Sequence, residues 1–336
     1  VDGKTKVAVV GATGVAGREL LGALLGAGVG ADQLTLFGTE RSAGEELEYG
    51  DETLQVEPLE EGAFRGQQVV LLATPAEASR KLAAEAQAAG AWAVDLSAAF
   101  RAESAVPLVL PGVNDAALDA GFKGRIVAVP SALSTALALL CTPLLPLGLQ
   151  RVHVTALVGA SAAGQAGVRE LEQQTAALLS GRDSEPGRFP HRLALNFIPQ
   201  VGPFVGETGE TEEERSWGLE LSRLWGERGA SVRVTGTAVQ VPTFFGHGLS
   251  VLLEGRGLSA DAVRAAVKGA PSVKLLDAPA EKIYPMPLLV TADDSVHVGR
   301  VRSTPGGVQL FATVDNALRG GALAAVQVAE RLSARR

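Results

Sequence analysis

The residues best placed to do chemistry form a turn near the start of the chain, Gly11-Ala12-Thr13-Gly14-Val15-Ala16-Gly17. An apolar run, Val7-Ala8-Val9-Val10, precedes it, and a helical pattern over Arg18 to Leu25 follows. Glycines there let the backbone bend sharply and come close to a phosphate, while the first turn of the helix offers unpaired N–H groups at the positive end of its dipole. The spacing is Gly-x-x-Gly-x-x-Gly rather than the commoner Gly-x-Gly-x-x-Gly. The flanking strand and helix therefore carry the assignment, and they favour nucleotide binding over a tight turn that binds nothing. Further on, Gly38-Thr39-Glu40-Arg41-Ser42-Ala43-Gly44 stands where such folds meet the adenosine ribose. An acid there suits a free 2′-hydroxyl and an arginine suits a 2′-phosphate. Glu40 and Arg41 are adjacent, so position alone leaves NAD, NADP and a solvated charged loop all open.

Other chemistry is sparse. The single cysteine, Cys141, cannot form an internal disulfide. Its neighbours in Leu139-Leu140-Cys141-Thr142 are mostly apolar, which raises a thiol pKa and points to a buried structural residue. No Cys/His spacing suggests a metal. Gly159-Ala160-Ser161-Ala162-Ala163 lacks the closing glycine of a nucleophile elbow, and no Gly-x-x-x-x-Gly-Lys-Ser/Thr phosphate loop occurs.

Positioning the glycine turn requires a sheet. Short apolar runs at Gln33 to Phe37, Val69 to Leu72, Ala91 to Leu96 and Arg125 to Val129 read as further strands. Ala76 to Ala89, rich in Ala, Glu, Lys and Gln, reads as a helix. Strand and helix alternating in this way predict an α/β fold with a Rossmann-like doubly wound parallel sheet. After Pro130 the pattern changes. Arg151 to Val158, Ser231 to Val241, Leu249 to Leu253, Val296 to Val301 and Val308 to Val314 alternate polar and apolar residues, and Ala166 to Leu179 is helical. That predicts an α+β domain on a mixed, largely antiparallel sheet. Pro203 to Glu214, rich in Gly, Glu and Thr, reads as a surface connection, and a last helix over Asn316 to Leu332 is expected to return to the first domain. The expected division is residues 1–130 with 316–336 as the nucleotide domain and 131–315 as a substrate-binding and dimerisation domain.

With 336 residues, two domains of roughly 150 are expected. The net charge of −7 argues against nucleic acid as a partner, which would select a basic face. The longest apolar run, around Ala136 to Leu149, contains Pro143 and Pro146 and is shorter than the ~20 residues a bilayer requires. The opening apolar stretch, which could pass for a signal peptide, makes better sense as strand, turn and helix. A cytoplasmic protein handling small molecules is the expectation.

Several segments in order then resemble aspartate-semialdehyde dehydrogenase, closest to its Usg-type homologues. They are Val9-Val10-Gly11-Ala12-Thr13-Gly14, Arg41-Ser42-Ala43-Gly44, Val94-Asp95-Leu96-Ser97-Ala98-Ala99-Phe100-Arg101, and Val106 to Asn114. Asn196-Phe197-Ile198-Pro199-Gln200, Gly246-His247 and Asp315-Asn316-Ala317-Leu318-Arg319-Gly320-Gly321-Ala322 complete the set. The resemblance implies an NADP-dependent oxidoreductase of amino-acid biosynthesis that works as a homodimer. In that family a cysteine thiolate attacks an aldehyde, hydride leaves for NADP, and phosphate cleaves the thioester to an acyl phosphate. It further implies that Gly11, Thr13, Gly14, Val15 and Ala16 face the cofactor phosphates and that Arg41 and Ser42 face the 2′-phosphate. Ser161, Ala162 and Asn316 would line the nicotinamide, Arg101 would bind phosphate, and His247 would move protons.

The departures matter as much. The family's nucleophile position falls on Ala132 in Val129-Pro130-Ser131-Ala132-Leu133-Ser134-Thr135, and a methyl group cannot attack a carbonyl. The arginine seven residues before the family's histidine falls on Gln240, which cannot form a bidentate ion pair with a carboxylate. The family's lysine falls on Ser216, with Arg215 beside it. His247 then has two readings, acid/base or hydrogen-bonded core residue; His153, His191 and His297 match no motif. Three functions remain, ranked in this order: a nucleotide-binding pseudoenzyme, an oxidoreductase acting through His247 on another small carbonyl, and a working aspartate-semialdehyde dehydrogenase.

Overall fold

The computed structural model describes residues 5–119 and 124–334, so residues 1–4, 120–123 and 335–336 of the expected first domain lie outside it. The chain forms two compact units, one ending at Ser131 and resuming at Gly320, the other running from Ala132 to Arg319.

The first unit is built on β1 (Val7–Val10), α1 (Val15–Gly26), β2 (Leu34–Gly38), β3 (Glu46–Tyr49), β4 (Glu52–Pro58), β5 (Val69–Leu72), α2 (Ala76–Ala88), β6 (Trp92–Asp95) and β7 (Ile126–Ala128). Its seven strands lie in the order β3-β4-β2-β1-β5-β6-β7. All ladders are parallel except β3 with β4. Val-Ala-Val-Val in β1 and Val-Val-Leu-Leu in β5 are buried at every residue. A strand covered on both faces reads as a continuous apolar run for that reason. β1 sits between β2 and β5, with Val7 level with Leu34 on one side and Val69 on the other. The winding reverses there, and the space beyond such a switch point is where doubly wound sheets hold their ligands. α1 buries Leu20, Leu21 and Leu24, one face of the helix.

The second unit contains α3 (Ala132–Cys141), β8 (Leu149–Val158), α4 (Gly164–Leu179), α5 (Glu212–Trp225), β9 (Arg233–Gln240), β10 (His247–Gly255), α6 (Ala260–Lys268), β11 (Val273–Leu275), β12 (Val296–Thr304) and β13 (Gly307–Val314). Its six-stranded sheet has the order β11-β12-β13-β10-β8-β9. Three ladders are antiparallel, while β8 with β9 and β11 with β12 are parallel. α3 is buried from Leu133 to Cys141 and packs on α5, whose Trp225 indole N–H donates to Thr142 Oγ1 at 3.1 Å.

Two expectations need correction. The stretch expected as a surface connection ends in a helix start: Thr211 Oγ1 accepts the Glu214 N–H, and a Glu214 carboxylate oxygen accepts the Thr211 N–H. That reciprocal capping box fixes the beginning of α5 at Glu212. The last helix does not run unbroken from Asn316. Asp315 Oδ1 accepts the N–H groups of Ala317 and Leu318, a turn that satisfies the backbone outside a helix. Wide turns over Leu318–Ala322 follow, and only then does α7 (Leu323–Ser333) begin, packing on α1, β5 and β6. Among the described residues no helix is long and apolar enough to cross a membrane.

Candidate functional site

In the first unit the glycine turn emerges from the buried end of β1. Gly11 N–H donates to Phe37 O at 2.9 Å, which ties the turn to the neighbouring end of β2. Gly11 has φ +84°, and a Cβ there would lie 2.4 Å from Ala73 O. A Cβ on Gly17 would lie 2.2 Å from Gly11 O. Both positions therefore admit glycine alone, and the turn is as tight as a phosphate cradle requires. No side chain caps α1 at Gly14, and its first turn holds no acid. The helix N–H donors and the positive dipole end are thus available to an anion, as a dinucleotide pyrophosphate demands. Thr13, Val15 and Ala16 are half-buried and Gly14 is exposed. Beyond β2, Arg41 and Glu40 are exposed, while Ser42 is buried and its hydroxyl donates to Thr39 O at 3.1 Å. These residues fit a nicotinamide dinucleotide.

Arg101 lies beyond the ends of β6 and β7. Its guanidinium donates to Leu96 O and, through Nε, to Val129 O at 3.1 Å. Beside it Asp95 is fully buried, and its carboxylate accepts from the Ser97 hydroxyl at 2.9 Å. Burial raises the Asp95 pKa, against the pull of Ser79, Ser97 and Arg101.

In the second unit the ends of β8, β10 and β13 converge. Asn316 Oδ1 accepts from the Ser161 hydroxyl at 2.9 Å and from Gly246 N–H at 3.1 Å. The backbone N–H groups of Ala160 and Ser161 donate to Thr243 O and Phe244 O at 2.7 and 2.9 Å. Ala162 is exposed beside them. His247 is 2 % exposed, and Gly159 N–H donates to its Nδ1 at 3.2 Å. Nδ1 is therefore the acceptor, and the hydrogen of the neutral ring sits on Nε2. Burial pushes the His247 pKa down to about 4; the Gly246 backbone and the Asp315 carboxylate oppose that shift without cancelling it. At physiological pH the ring is a neutral N–H donor rather than a charged acid.

Gln240 is buried as well. Its side-chain amide donates to Val158 O at 2.7 Å, and its backbone exchanges both hydrogen bonds with Ile198. The amide is engaged in holding β8 to β9. Ala132, half-buried, is the first residue of α3. Cys141, the last, is fully buried, and burial pushes its thiol up to about 12. Arg215 Nε pairs with Glu210 at 3.0 Å on the surface, and the Ser216 hydroxyl donates to Glu213 O. Of the remaining histidines, His297 pairs with Asp293 and His153 with Thr235, while His191 is exposed.

The structure thus ties Ser161, Asn316 and Gly246 together by hydrogen bonds, while His247 accepts from Gly159 N–H and Gln240 donates to Val158 O at the same strand ends. Two contributors had no side-chain signature. The Gly159 N–H is a main-chain group. Asp315, whose carboxylate also accepts Ala292 N–H at 3.0 Å, stood in the motif only as the neighbour of Asn316.

A glycine-turn nucleotide unit and a mixed-sheet unit in one chain form the plan of a nicotinamide-dependent dehydrogenase. Residues 6–120 match the family model for the semialdehyde dehydrogenase NAD binding domain, and residues 141–319 match that for the semialdehyde dehydrogenase dimerisation domain. The chain is 32 % identical over 334 residues to aspartate-semialdehyde dehydrogenase of Aquifex aeolicus, covering 97 % of each chain. It is 34 % identical over 332 residues to that of Synechocystis, again covering 97 % of each. The crystal structure of aspartate semialdehyde dehydrogenase II from Vibrio cholerae superposes with a TM-score of 0.92 at 31 % identity, covering 98 % of this chain and 99 % of that one. The chain belongs to the aspartate-semialdehyde dehydrogenase family, whose members are nicotinamide-dependent oxidoreductases.

Proposed function

We propose that this chain is an NADP-binding, homodimeric member of the family that has lost the thiol-dependent oxidation of semialdehydes. The observation that carries the reading is the state of its sulfur. Alanine stands at Ala132, where the family's nucleophile belongs, and the one thiol, Cys141, is enclosed in α3 with a pKa of about 12. A thiol so far from ionisation supplies almost no thiolate at neutral pH, and thiolate is the attacking species. Gln240 removes the cation that would hold a substrate carboxylate. Arg41 supports NADP over NAD, since an exposed guanidinium can reach a 2′-phosphate. The dimerisation-domain match supports the homodimer. NADPH titration followed by nucleotide fluorescence should give saturable binding, and phosphate-dependent NADP reduction with aspartate semialdehyde should give none. Turnover at a rate ordinary for an enzyme would overturn the proposal.

The Gly159 contact favours a second reading, non-covalent reduction of another small carbonyl. When bound, a reduced nicotinamide would supply hydride to a substrate carbonyl carbon; the carbonyl oxygen would take the electron pair of the C=O π bond and then a proton from water. His247 Nε2–H would stabilise the developing alkoxide, the role of an oxyanion donor held in place beforehand. Ser161 and Gly246, tied through Asn316, fix the turn that carries His247. A screen of small aldehydes and ketones for NADPH consumption tests this reading.

A further inference from the structure

We infer, resting on the dinucleotide reading of the first unit, that Arg18 is a further cofactor-binding residue. Its guanidinium supplies a side-chain cation to the pyrophosphate, beside the backbone N–H groups of the glycine turn. The turn itself lies inside the NAD binding domain match over residues 6–120. With Arg41 assigned to the 2′-phosphate, the doubly charged pyrophosphate is otherwise left with main-chain donors alone.

Arg18 is the fourth residue of α1. The Cα–Cβ bonds of a helix tilt toward its N-terminus, so a long side chain covers the turn before its own Cα. Arg18 follows that rule. Its Nε donates to Thr13 O at 3.2 Å, five residues back and on the far side of the Gly14 N-cap. The planar guanidinium is therefore held against the glycine turn. Among the described residues its two terminal nitrogens have no partner, and the residue is exposed.

Charge makes this placement informative. Acids are favoured at the positive end of a helix dipole and cations are disfavoured. α1 has the reverse, with no acid in its first turn and Arg18 at the end of it. The helix supplies no counter-charge. The neighbours of Arg18 at i−4, i−3, i+3 and i+4 are Gly14, Val15, Leu21 and Gly22, and Glu19 leaves the helix on another face. Glu46 and Glu48 line the same cleft of about 460 Å³, yet among the described residues neither forms an ion pair with Arg18. An arrangement that is unfavourable in the free helix becomes favourable when an anion arrives, because guanidinium, dipole and unpaired N–H groups then act on one charge. Access is open, since Gly14 is exposed and no side chain caps α1. A brace on Thr13 O alone would need only a neutral N–H donor, and that difference can be measured.

The full chain and its variants Arg18→Gln, Arg18→Lys and Arg18→Glu are titrated with NADPH and with NADH by nucleotide fluorescence, at about 50 and about 300 mM KCl. Each is also melted in a calorimeter without nucleotide. Arg18→Gln should weaken both nucleotides by the same factor, about threefold to tenfold at the lower salt, as for an exposed hydrogen bond between charged groups. Its affinity should also fall less steeply with salt than that of the wild type. Arg18→Lys should keep the wild-type salt dependence at an intermediate affinity. Arg18→Glu should melt at or above the wild-type temperature, because it puts an acid at the positive helix end, and yet bind both nucleotides more weakly than Arg18→Gln. General damage to the fold would not move those two readouts in opposite directions. Equal binding by wild type and Arg18→Gln overturns the inference. So does a loss confined to NADPH, which would make Arg18 a 2′-phosphate contact, and so does a loss with unchanged salt dependence, which would make it a brace for Thr13 alone. Failure of the wild type to bind either nucleotide is a separate result, and it overturns the nucleotide reading itself.

Discussion

Two glycines in α1 make a matched pair of perturbations. Gly22→Ala places a methyl group where no atom lies within 4 Å, on an exposed position inside the helix. Gly17→Ala places the same group 2.2 Å from Gly11 O, 2.7 Å from Ala12 Cα and 2.8 Å from the Ala12 carbonyl carbon. Helix propensity favours alanine by about 0.8–1 kcal/mol at both sites. At Gly22 nothing opposes that gain, so stability should rise by about that amount. At Gly17 the obstacle is backbone, which cannot swing aside as a flexible side chain can. The turn must open by roughly 1 Å to reach ordinary van der Waals contact, and overpacking of this kind costs about 1–3 kcal/mol. The propensity gain is common to both variants and cancels, so Gly17→Ala should be less stable than Gly22→Ala by about 1–3 kcal/mol. It should also bind NADPH at least tenfold more weakly, roughly 1.4 kcal/mol, because the opened turn is the one that must cradle the pyrophosphate. Differential scanning calorimetry and nucleotide fluorescence give the two readouts. If both variants melt together and bind NADPH alike, the assignment of this turn as a tight phosphate cradle is wrong.

The remaining predictions concern charge and sulfur. Native protein should resist iodoacetamide up to about pH 9 and release one reactive thiol on denaturation, since Cys141 is fully buried with its pKa near 12. Ala132→Cys should add a thiol that Ellman's reagent titrates in the native state, and the double variant with Gln240→Arg should gain measurable semialdehyde oxidation; silence from that folded variant counts against Ala132 as the nucleophile position. Arg41→Ala should raise the NADPH Kd by about tenfold or more and leave NADH unchanged, as expected for a charged hydrogen bond worth about 1.5–3 kcal/mol. Because the folded pKa of His247 lies near 4, below its value in the unfolded chain, the unfolded state binds more protons between the two. His247 therefore stabilises the fold fully above about pH 6.5, and that stabilisation is lost as the pH falls toward 4. His247→Gln should flatten this part of a denaturation profile measured against pH.

Where burial was complete on both faces, the sequence declared the element plainly: β1 and β5 are unbroken apolar runs because helices cover both sides. The β3–β4 hairpin escaped notice because it lies at the edge of its sheet and buries only Leu47, Tyr49 and Val56 among polar neighbours. Its one local signal was the two-residue turn Gly50-Asp51. α5 was hidden by its acidic start, although Thr211 and Glu214 have the spacing of a capping box. In the candidate site, side chains with a polar tip were legible: Ser161, His247 and Asn316 stand out by type and motif. What Gln240 does was not, because an amide turned inward onto Val158 O and one turned outward toward a ligand have the same letter. The hydrogen on His247 was equally invisible, being set by the main chain of Gly159.

The placement of α7 bears on how the molecule is made. Its buried residues Ala324, Ala325, Val326, Val328, Ala329 and Leu332 cover α1, β5 and β6, strands and a helix that leave the ribosome more than two hundred residues earlier. At ~5–20 residues per second, that apolar flank stays bare for at least about ten seconds of synthesis. The nucleotide unit therefore cannot finish folding as it emerges, and its completion waits on the final seventeen residues. A nascent chain stalled before Gly320 would offer chaperones an open hydrophobic face on an otherwise formed sheet.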